Sequence, residues 1–364
     1  MNFVKSCKNG RGFVSIVIVT LLLPGMFLFF GCAKEEPVKE NELSETLTIL
    51  NWEDYIEMDV VKEFEDKYNV NVVFVYYENE DEMISLVQSN PESYDLVIAS
   101  GSVVKKMQNL RLIDKIEKEN IPNLSKVDVK FTNSPFDKNL EYSIPYLWGT
   151  SGVTVNRKYV KDEEIGWEIL FDKRYAGKID MLDDIQENFA PPLKILGVSI
   201  NANDEETLEK ARGLLMEQRG IIRGYFDAYE IQKHLEDGTV YVAYHYSGDT
   251  YMAMEKNEDL EFIVPKEGSP IWIDNWVIPT NAKNKYTAEV FVNFVLMPKN
   301  IAKISNYVWY ANPVPESREF LNEELLSSED IYISDDILKK CEYYVPLESQ
   351  TNIFMNKVWS ELKR

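Results

Sequence analysis

The stretch Pro270–Pro279, PIWIDNWVIP, combines residue types that could bind a cation. β-Branched and aromatic residues dominate it, and proline stands at both ends, which predicts a β-strand. Side chains alternate between the two faces of a strand, so Trp272 and Asp274 should project to the same side. An indole ring attracts an organic ammonium ion by about 0.5–2 kcal/mol, and a carboxylate adds charge-assisted hydrogen bonds. The alternative is a buried structural strand whose Asp274 caps a neighbouring turn.

A second acidic pair follows a predicted strand at Lys178–Leu182. If a helix begins directly after it, Asp184 and Glu187 are neighbours on one helical face. Acidic residues are also common at helix N-termini, where they stabilise the helix, and both interpretations stay open. Paired carboxylates could instead serve a secreted glycosidase, whose two carboxyl groups stand about 5–9.5 Å apart.

Composition limits the chemistry further. The chain has 364 residues, of which 45% are hydrophobic and 27% charged, enough for two domains with a large core. His234 and His245 are the two histidines, so a histidine-based metal centre or a Ser-His-Asp triad is hard to assemble. We therefore expect neither a metal nor a cofactor. Beyond the N-terminal segment Cys341 is the one cysteine, which excludes an intramolecular disulfide.

The N-terminus has the pattern of a secretory signal. Three basic residues precede the apolar run Phe13–Phe30, and Gly31-Cys32 follows. This resembles a bacterial lipoprotein signal, which implies that residues 1–31 are removed and that Cys32 carries lipid. An uncleaved membrane span is the alternative, and both place the following residues outside the cytoplasm. Residues 32–45 are charged and lack aromatic residues, which predicts a flexible tether.

The strong acidity excludes one class of partner. The formal net charge is −22, and removal of residues 1–31, with three basic and no acidic residues, leaves −25. We therefore expect no binding to nucleic acid. The same charge attracts small cations, although solubility alone would also explain it.

The elements before residue 110 should bring several polar and aromatic side chains together. Strands are predicted at residues 46–52, 70–76 and 94–98, with helices between them. This alternation predicts a parallel α/β sheet with helices on both faces, and ligands bind such sheets beyond the C-terminal strand ends. Trp52 and Tyr55 follow the first strand and Ser100 follows the third. We expect these residues at one edge of the sheet.

The rest of the chain predicts a second domain. Residues 142–156 contain proline and glycine, which indicates a crossing between domains. Residues 238–247 alternate like a strand that ends near Tyr246. Residues 307–313 read as an aromatic loop, and the tail from residue 335 is predicted to be an amphipathic helix rich in tyrosine.

An ordered series of motifs supports a more specific interpretation. The series is NWEDY at 51–55, YEN at 77–79, YDLV at 94–97 with Ser100, PFD at 135–137, SIPYLWG at 143–149, and WID at 272–274 followed by IPTNAKNK at 278–285. It resembles the spermidine/putrescine-binding proteins of bacterial polyamine importers, over almost all of the chain after Leu47. The resemblance implies an α/β, bilobal, periplasmic-binding-protein-like fold, with two α/β lobes joined by a hinge around a central ligand cleft. Lobe 1 would comprise residues 46–148 and 274–317, and lobe 2 residues 149–273 and 318–364.

The resemblance also implies a set of ligand-binding residues, because acidic residues of this family hold amines and aromatic residues sandwich methylenes. The matching acids are Asp54, Asp184, Glu187 and Asp274. The matching aromatic residues are Trp52, Tyr55, Trp272, Tyr310 and Tyr246, the last at a position where the family often has Trp, and Ser100 matches a cleft serine. Ser102 replaces an expected aromatic residue and Tyr344 an expected Gln, so the choice between spermidine and putrescine stays open.

The expected function is that of a lipid-anchored extracytoplasmic receptor, not an enzyme. It would capture polyamine as a monomer and deliver it to the permease of an ABC transporter, while its N-terminal lipid holds it on the cell membrane. A receptor for another small cation is the closest alternative. A secreted hydrolase that uses Asp184 and Glu187 is a second one, and a surface adhesin has no repeat to support it.

Overall fold

The computed structural model describes residues 42–364. The strands are β1 (Thr46–Asn51), β2 (Asn71–Tyr76), β3 (Leu96–Ser100), β4 (Ser143–Asn156), β5 (Ile179–Leu182), β6 (Gly224–Phe226), β7 (Val242–Tyr246), β8 (Leu260–Ile263) and β9 (Ile271–Val277). The α-helices are α1 (Met58–Tyr68), α2 (Glu80–Ser89), α3 (Gly101–Asn109), α4 (Ile185–Ile195), α5 (Glu205–Gln218), α6 (Ala228–Glu236), α7 (Ser247–Met254), α8 (Lys285–Val295), α9 (Pro298–Val308), α10 (Glu323–Ser327), α11 (Asp335–Leu338) and α12 (Ser349–Leu362). Short 3-10 helices lie at Lys118–Asn120, Pro122–Lys126, Val129–Phe131, Trp167–Phe171, Lys173–Tyr175 and Pro315–Phe320.

The strands of residues 42–364 form one nine-stranded sheet in the order β2-β1-β3-β9-β4-β7-β5-β6, and β8 also pairs with β4. Strands β1, β2 and β3 are parallel to one another, as predicted, and so are β5, β6 and β7. The central strands β4 and β9 run antiparallel to their neighbours, which the prediction of a parallel sheet missed. Both strands lie between the two parallel groups. Parallel neighbours need a crossover connection, usually a helix, and antiparallel neighbours do not.

Strand β4 is the structural link between the two groups. Its first half, residues 143–150, pairs with β9, and its second half, residues 151–156, pairs with β7 and β8. Every side chain along it is buried. The predicted crossing at residues 142–156 is thus a continuous 14-residue strand, with one register shift between Pro145 and Leu147.

The buried apolar residues divide along the same lines. The first core surrounds β1, β3 and β9 with α1, α3, α8 and α9, and its largest side chains include Trp276 and Phe291. A second core surrounds β5 and β7 and includes Trp167 and Tyr244. A third, smaller core joins α4, α5 and α12. The first half of β4 contributes to the first core and its second half to the second core.

Several predicted boundaries shift. The strand predicted at residues 238–247 is shorter, because Gly238 has a left-handed φ of 72° and the regular strand begins at Val242. The aromatic loop begins later than predicted, since α9 continues to Val308. The tail is not one helix: α11 and α12 are separated by residues 339–348, where proline at position 346 disfavours helix.

The N-terminal predictions lie mostly outside the described residues. The signal peptide, Cys32 and the tether as far as position 41 belong to that part of the chain. Within the last residues of the predicted tether, Leu43 packs against the first core, and the Ser44 backbone N–H donates to Thr287 Oγ1 at 2.8 Å. No helix between residues 42 and 364 is long and apolar enough to cross a membrane.

Candidate functional site

Strand β9 confirms the predicted strand and its alternation. Ile271 and Ile273 are buried, whereas Trp272 and Asp274 are half-buried on the opposite face. The Tyr55 hydroxyl group donates a hydrogen bond to Asp274 Oδ2 at 2.7 Å. Burial raises the pKa of Asp274 to about 6, and the hydrogen bond from Tyr55 opposes that rise. Asp274 is therefore a desolvated carboxyl group whose ionised form a nearby cation would stabilise.

Aromatic rings surround this carboxyl group. The Trp272 and Tyr310 rings meet edge to face, with centroids 4.8 Å apart and planes at 84°. Tyr310 also packs against Tyr55 at 6.2 Å, and Tyr246 packs against Trp272 at 6.2 Å. Four of the predicted aromatic residues thus form one contiguous cluster. Perpendicular rings present both faces and edges, a surface that suits methylene groups and ammonium ions.

Two glycines allow these rings to approach the backbone. Gly149 of β4 pairs in register with Trp272, and a Cβ atom there would stand 2.5 Å from Trp272 Cζ2. A Cβ atom on Gly248 would stand 2.5 Å from Tyr310 Cε1. Any larger residue at either position would have to displace an aromatic ring of the cluster.

The acidic pair at the start of α4 fits both interpretations of its sequence. Asp184 is the N-cap residue, and its Oδ1 accepts a hydrogen bond from the Glu187 N–H at 2.9 Å. Glu187 is buried and accepts hydrogen bonds from the hydroxyl groups of Ser151 at 3.0 Å, Tyr344 at 3.1 Å and Tyr244. Burial raises the pKa of Glu187 to about 7, with a further contribution from the Asp184 charge.

Asp184 combines solvent access with desolvation. Its side chain is exposed, but the surrounding protein still raises its pKa through burial, against hydrogen bonds from backbone N–H groups. A carboxyl group that water reaches and the protein largely surrounds lies in a cleft rather than on an open surface. The pair is therefore well placed to meet a cation that enters from solvent.

Ser100 connects β3 to an acid that sequence reasoning did not single out. Its backbone N–H and its Oγ donate to Glu80 Oε1 at 2.8 Å and Oε2 at 3.0 Å, and its Oγ lies 3.3 Å from Ser102 Oγ. Burial raises the pKa of Glu80 to about 7, opposed by the two hydrogen bonds and reinforced by the charges of Asp274 and Asp184. Ser100 pairs in register with Asp274, so Glu80 lies beside the β9 acid.

Asp249 of α7 is a further acid near the aromatic cluster. Burial raises its pKa, while His245 and the neighbouring Tyr310 hydroxyl group oppose the rise. His245 is fully buried, bonds the Ala228 carbonyl oxygen through Nε2 at 2.9 Å, and has a lowered pKa because of burial. Burial thus favours the neutral form of His245.

Two predicted residues lie at the margin of this arrangement. Trp52 packs against Tyr77, with ring centroids 4.2 Å apart. Asp54 is exposed in a left-handed conformation with φ of 55°, and its charge raises the pKa of Tyr76 and Tyr307 rather than that of a cleft acid. The structure does not bring Asp54 to the other predicted acids.

The remaining groups share one electrostatic environment. The pKa of Tyr246 is raised by burial and then by the charges of Glu187, Asp184, Asp249 and Asp274, so this ring lies among four acids. We name the assembly the candidate site. It comprises Tyr55, Glu80, Ser100, Asp184, Glu187, Tyr246, Asp249, Trp272, Asp274 and Tyr310.

The five carboxyl groups of the candidate site have no lysine or arginine partner among the described residues. Between residues 42 and 364, no lysine or arginine forms an ion pair with any of them or lowers its pKa. Buried charges in proteins are normally paired, because an unpaired one costs several kcal/mol. In the same residues, no group of three His, Cys, Asp or Glu side chains could hold a metal ion. Desolvated carboxyl groups beside aromatic rings form a surface that suits an organic cation.

Sequence reasoning missed Glu80, Asp249, Ser151 and Tyr244. Glu80 directly follows the YEN motif at 77–79, and Asp249 lies three residues after Tyr246, so proximity to recognised residues was the available signal. Ser151 and Tyr244 gave none, because their role depends on how β4 and β7 pair beside α4.

Comparison with known proteins identifies the family. The family model described as "Bacterial extracellular solute-binding protein" matches residues 59–330. The chain belongs to this family. The spermidine/putrescine-binding periplasmic protein of Escherichia coli (strain K12) is 29% identical over 311 residues, covering 85% of this chain and 89% of the relative.

Solved structures of this solute-binding protein family agree. The spermidine/putrescine ABC transporter substrate-binding protein PotD of Streptococcus pneumoniae superposes with a TM-score of 0.82 and 28% identity, covering 88% of this chain and 99% of that chain. The TpPotD lipoprotein of Treponema pallidum superposes with a TM-score of 0.80 and 26% identity, covering 87% and 99%. The predicted bilobal α/β fold is therefore confirmed, and the solute-binding protein belongs to a family of receptors rather than to an enzyme family.

Proposed function

We propose that this solute-binding protein is a receptor for a polyamine, spermidine or putrescine, and that it delivers the polyamine to the permease of an ABC transporter. The observation that carries the proposal is the candidate site itself. Five desolvated carboxyl groups, with no lysine or arginine partner from residues 42–364, are set around four aromatic rings. The names of its relatives support the same ligand class.

The chemistry of a polyamine matches this arrangement. It is a flexible apolar rod with an ammonium group at each end, and each buried ammonium needs carboxylate partners. Its methylenes gain about 0.8 kcal/mol each when they are buried, and aromatic faces provide the surface. Asp274 would hold one end, Asp184 and Glu187 the other, and the rings of Trp272, Tyr310 and Tyr246 would cover the chain between them.

The same geometry favours a receptor over an enzyme. Both oxygens of Glu187 already accept hydrogen bonds from protein hydroxyl groups, and Asp184 Oδ1 caps α4. Neither carboxyl group is arranged as a free acid or base against a reacting bond. We therefore propose that the protein binds its ligand and does not transform it.

We propose the lobe division expected from the resemblance, residues 46–148 and 274–317 against 149–273 and 318–364. The separation of the two large cores on either side of β4 supports it. Leu325, Ile331 and Ile333 belong to the first core, which favours a last boundary beyond residue 333. The predicted acids then come from both lobes, Asp274 from lobe 1 and Asp184 with Glu187 from lobe 2.

Titration calorimetry tests the ligand. The purified protein is titrated with putrescine, cadaverine, spermidine and spermine, and with 1,4-butanediol as an uncharged control of putrescine's length. We expect saturable 1:1 binding of at least one polyamine and none of the diol. A folded protein that binds no polyamine would refute the proposal. Binding of a monovalent amine as tightly as any polyamine would instead favour a receptor for another small cation.

We also propose that Cys32 carries the lipid that anchors the receptor to the membrane. Gly31-Cys32 after an apolar run supports this, and one structural relative is itself named a lipoprotein. In cells, Cys32→Ala should release the protein into the medium or leave a larger, unprocessed precursor. Normal processing and membrane retention of that variant would exclude lipidation at Cys32.

A further inference from the structure

Glu80 is an acid of the candidate site to which the proposed function assigns no role. Its carboxylate nevertheless has specific contacts. It is the first residue of α2, and Asn79 caps that helix by accepting from the Glu82 N–H, so the Glu80 side chain is not the cap. Its two carboxylate oxygens instead accept the N–H and the hydroxyl group of Ser100 at 2.8 and 3.0 Å.

The position of Ser100 fixes where Glu80 acts. Ser100 ends β3 and pairs in register with Asp274 on the neighbouring antiparallel strand. The charges of Asp274 and Asp184 both raise the pKa of Glu80, and the proposed function places these two acids at opposite ends of the candidate site. Glu80 is therefore within electrostatic reach of both ends of the candidate site.

Within the part of the chain that the structure describes, no lysine or arginine compensates the charge of Glu80. The titratable groups that influence it are Asp274 on β9 and Asp184 before α4, both acidic, and Tyr77, whose own pKa Glu80 raises. Because burial raises the pKa of Glu80 to about 7, its ionised form is only partly populated near neutrality without a ligand.

We propose that Glu80 is a positioning and specificity-determining residue, which fixes Ser100 beside Asp274 and supplies negative charge to the middle of the ligand. The proposal rests on the proposed polyamine function. A diamine places methylenes in the middle of the site, whereas a triamine such as spermidine places a secondary ammonium there. Glu80 thus favours the triamine.

Glu80→Gln removes the negative charge of Glu80 and keeps the size and shape of its side chain. The Gln Oε1 can still accept the Ser100 N–H, and its amide group can donate to Ser100 Oγ, whose proton can turn to Ser102. The variant should lose affinity for spermidine by about tenfold, the effect of one partly screened charge, and affinity for putrescine by less than about threefold. Glu82→Gln, two residues along the same first turn and exposed, is the matched control and should leave both affinities unchanged.

Proton release provides a readout that a purely structural role would not change. A bound ammonium near Glu80 ionises its carboxyl group, so the wild-type protein should release protons when it binds spermidine at pH 6.5–7. Calorimetry in buffers of different ionisation enthalpy measures this number, and Glu80→Gln should reduce it. Ser100→Ala, which keeps the Glu80 charge, should preserve a net release of protons.

The outcomes distinguish this proposal from the proposed function. If the wild-type protein binds no polyamine, the function itself fails. If it binds polyamines and Glu80→Gln weakens putrescine and spermidine equally, or neither, the role of Glu80 in selectivity is overturned. Should thermal melts show that Glu80→Gln is unfolded, Glu80→Asp serves instead. It keeps the charge and should hold the spermidine-to-putrescine affinity ratio within about threefold of wild type. A larger change in that ratio would overturn the proposal.

Discussion

At the scale of single residues, Asp274 and Trp272 make separable contributions to binding. Asp274→Asn leaves a buried ammonium group underpaired, a loss of about 2–5 kcal/mol for a buried hydrogen-bonded charge pair. Trp272→Leu keeps apolar bulk but removes the attraction of the indole ring, about 0.5–2 kcal/mol. We therefore expect Asp274→Asn to weaken polyamine binding more than Trp272→Leu does, by titration calorimetry.

Thermal melts of the ligand-free variants provide the control. Both residues are half-buried on the face of β9 opposite Ile271 and Ile273, so folding should survive each change. Wild-type affinity of Asp274→Asn for every polyamine would remove Asp274 from the site. A large fall in its melting temperature would show that Asp274 is a structural residue of the strand.

The raised pKa values predict how stability depends on pH. Glu80 and Glu187 have a pKa raised to about 7, and Asp274 to about 6, so the folded protein holds more protons than the unfolded chain between about pH 4.5 and 7. Stability falls with rising pH wherever the folded state binds more protons. The free energy of unfolding of the ligand-free protein should therefore drop by on the order of 1–3 kcal/mol between pH 5.5 and 8, measured by urea denaturation.

The same carboxyl groups should make ligand affinity change with pH in the opposite direction to stability. Polyamine affinity should rise from pH 5.5 to 8, because the ionised acids bind the cation. Glu187→Gln is the control, and its stability should depend less steeply on pH. Exposed acids such as Glu63, whose pKa is lowered by Lys303, titrate at lower pH and do not contribute in this range. If ligand-free wild-type stability increases toward pH 8, the carboxyl groups are not desolvated as described.

Residue types and alternation were sufficient to predict Trp272 and Asp274 together, because a strand determines which neighbours share a face. They could not place Glu80 or Asp249 in the site, since those positions follow from pairing between distant segments. For Asp54, which the resemblance assigns to the ligand, the structure shows a left-handed backbone and an exposed side chain, and its role at the site stays a prediction.

At the scale of elements, the pairing of β4 with β9 requires glycine at position 149, where a side chain would meet the Trp272 ring. In Gly149→Ala, the new methyl group would stand 2.5 Å from the Trp272 ring and 3.0 Å from Ser247 Oγ. The ring must shift, at a cost of about 1–3 kcal/mol for overpacking of this kind. We expect polyamine affinity to fall about tenfold or more, measured by calorimetry, because the displaced ring is part of the site.

Gly213→Ala is the matched control. A Cβ atom there meets nothing within 4 Å, and the residue lies within α5, where alanine is favoured over glycine by about 0.5–1 kcal/mol. That variant should melt at or above the wild-type temperature and bind normally. Unchanged binding by Gly149→Ala would mean that the position of the Trp272 ring does not matter to the ligand.

Sequence patterns predicted most elements near residues 46–100 because their strands and helices are amphipathic or uniformly apolar. The tail was predicted less well. Its tyrosine-rich pattern suggested one helix, but residues 341–348 lie outside regular helices and strands, and the Glu342 N–H donates to the Ser269 carbonyl oxygen, just before β9, at 3.1 Å. That contact is long-range, and a local pattern does not encode it. Tyr344 reaches Glu187 from this segment.

At the scale of the whole molecule, ligand binding should shift an equilibrium between open and closed arrangements of the lobes. The proposed contacts come from both lobes, so a bound polyamine joins them. Solution scattering should give a smaller radius of gyration with saturating polyamine than without. Asp274→Asn at the same polyamine concentration is the control, and it should remain closer to the ligand-free profile. An unchanged wild-type profile, with binding confirmed by calorimetry, would argue against hinge closure.

The overall architecture was predictable from the ordered motifs because each motif belongs to one part of a known bilobal plan. Motifs and local periodicity did not predict that β4 would be a single strand through both strand groups. Its proline and glycine residues indicate irregular structure when read locally, and full burial between β9 on one side and β7 with β8 on the other overrides them.

The continuity of β4 also limits how this protein can change in length. Gly149, opposite Trp272, and Ser151, which donates to Glu187, are two residues apart and face the same side of the strand. Deletion of Thr150, the one residue between them, would turn Ser151 to the other face. Insertion of two residues would keep the face but move Ser151 about 7 Å along the strand. New ligand preferences can therefore arise here by substitution, whereas insertions and deletions are confined to the loops.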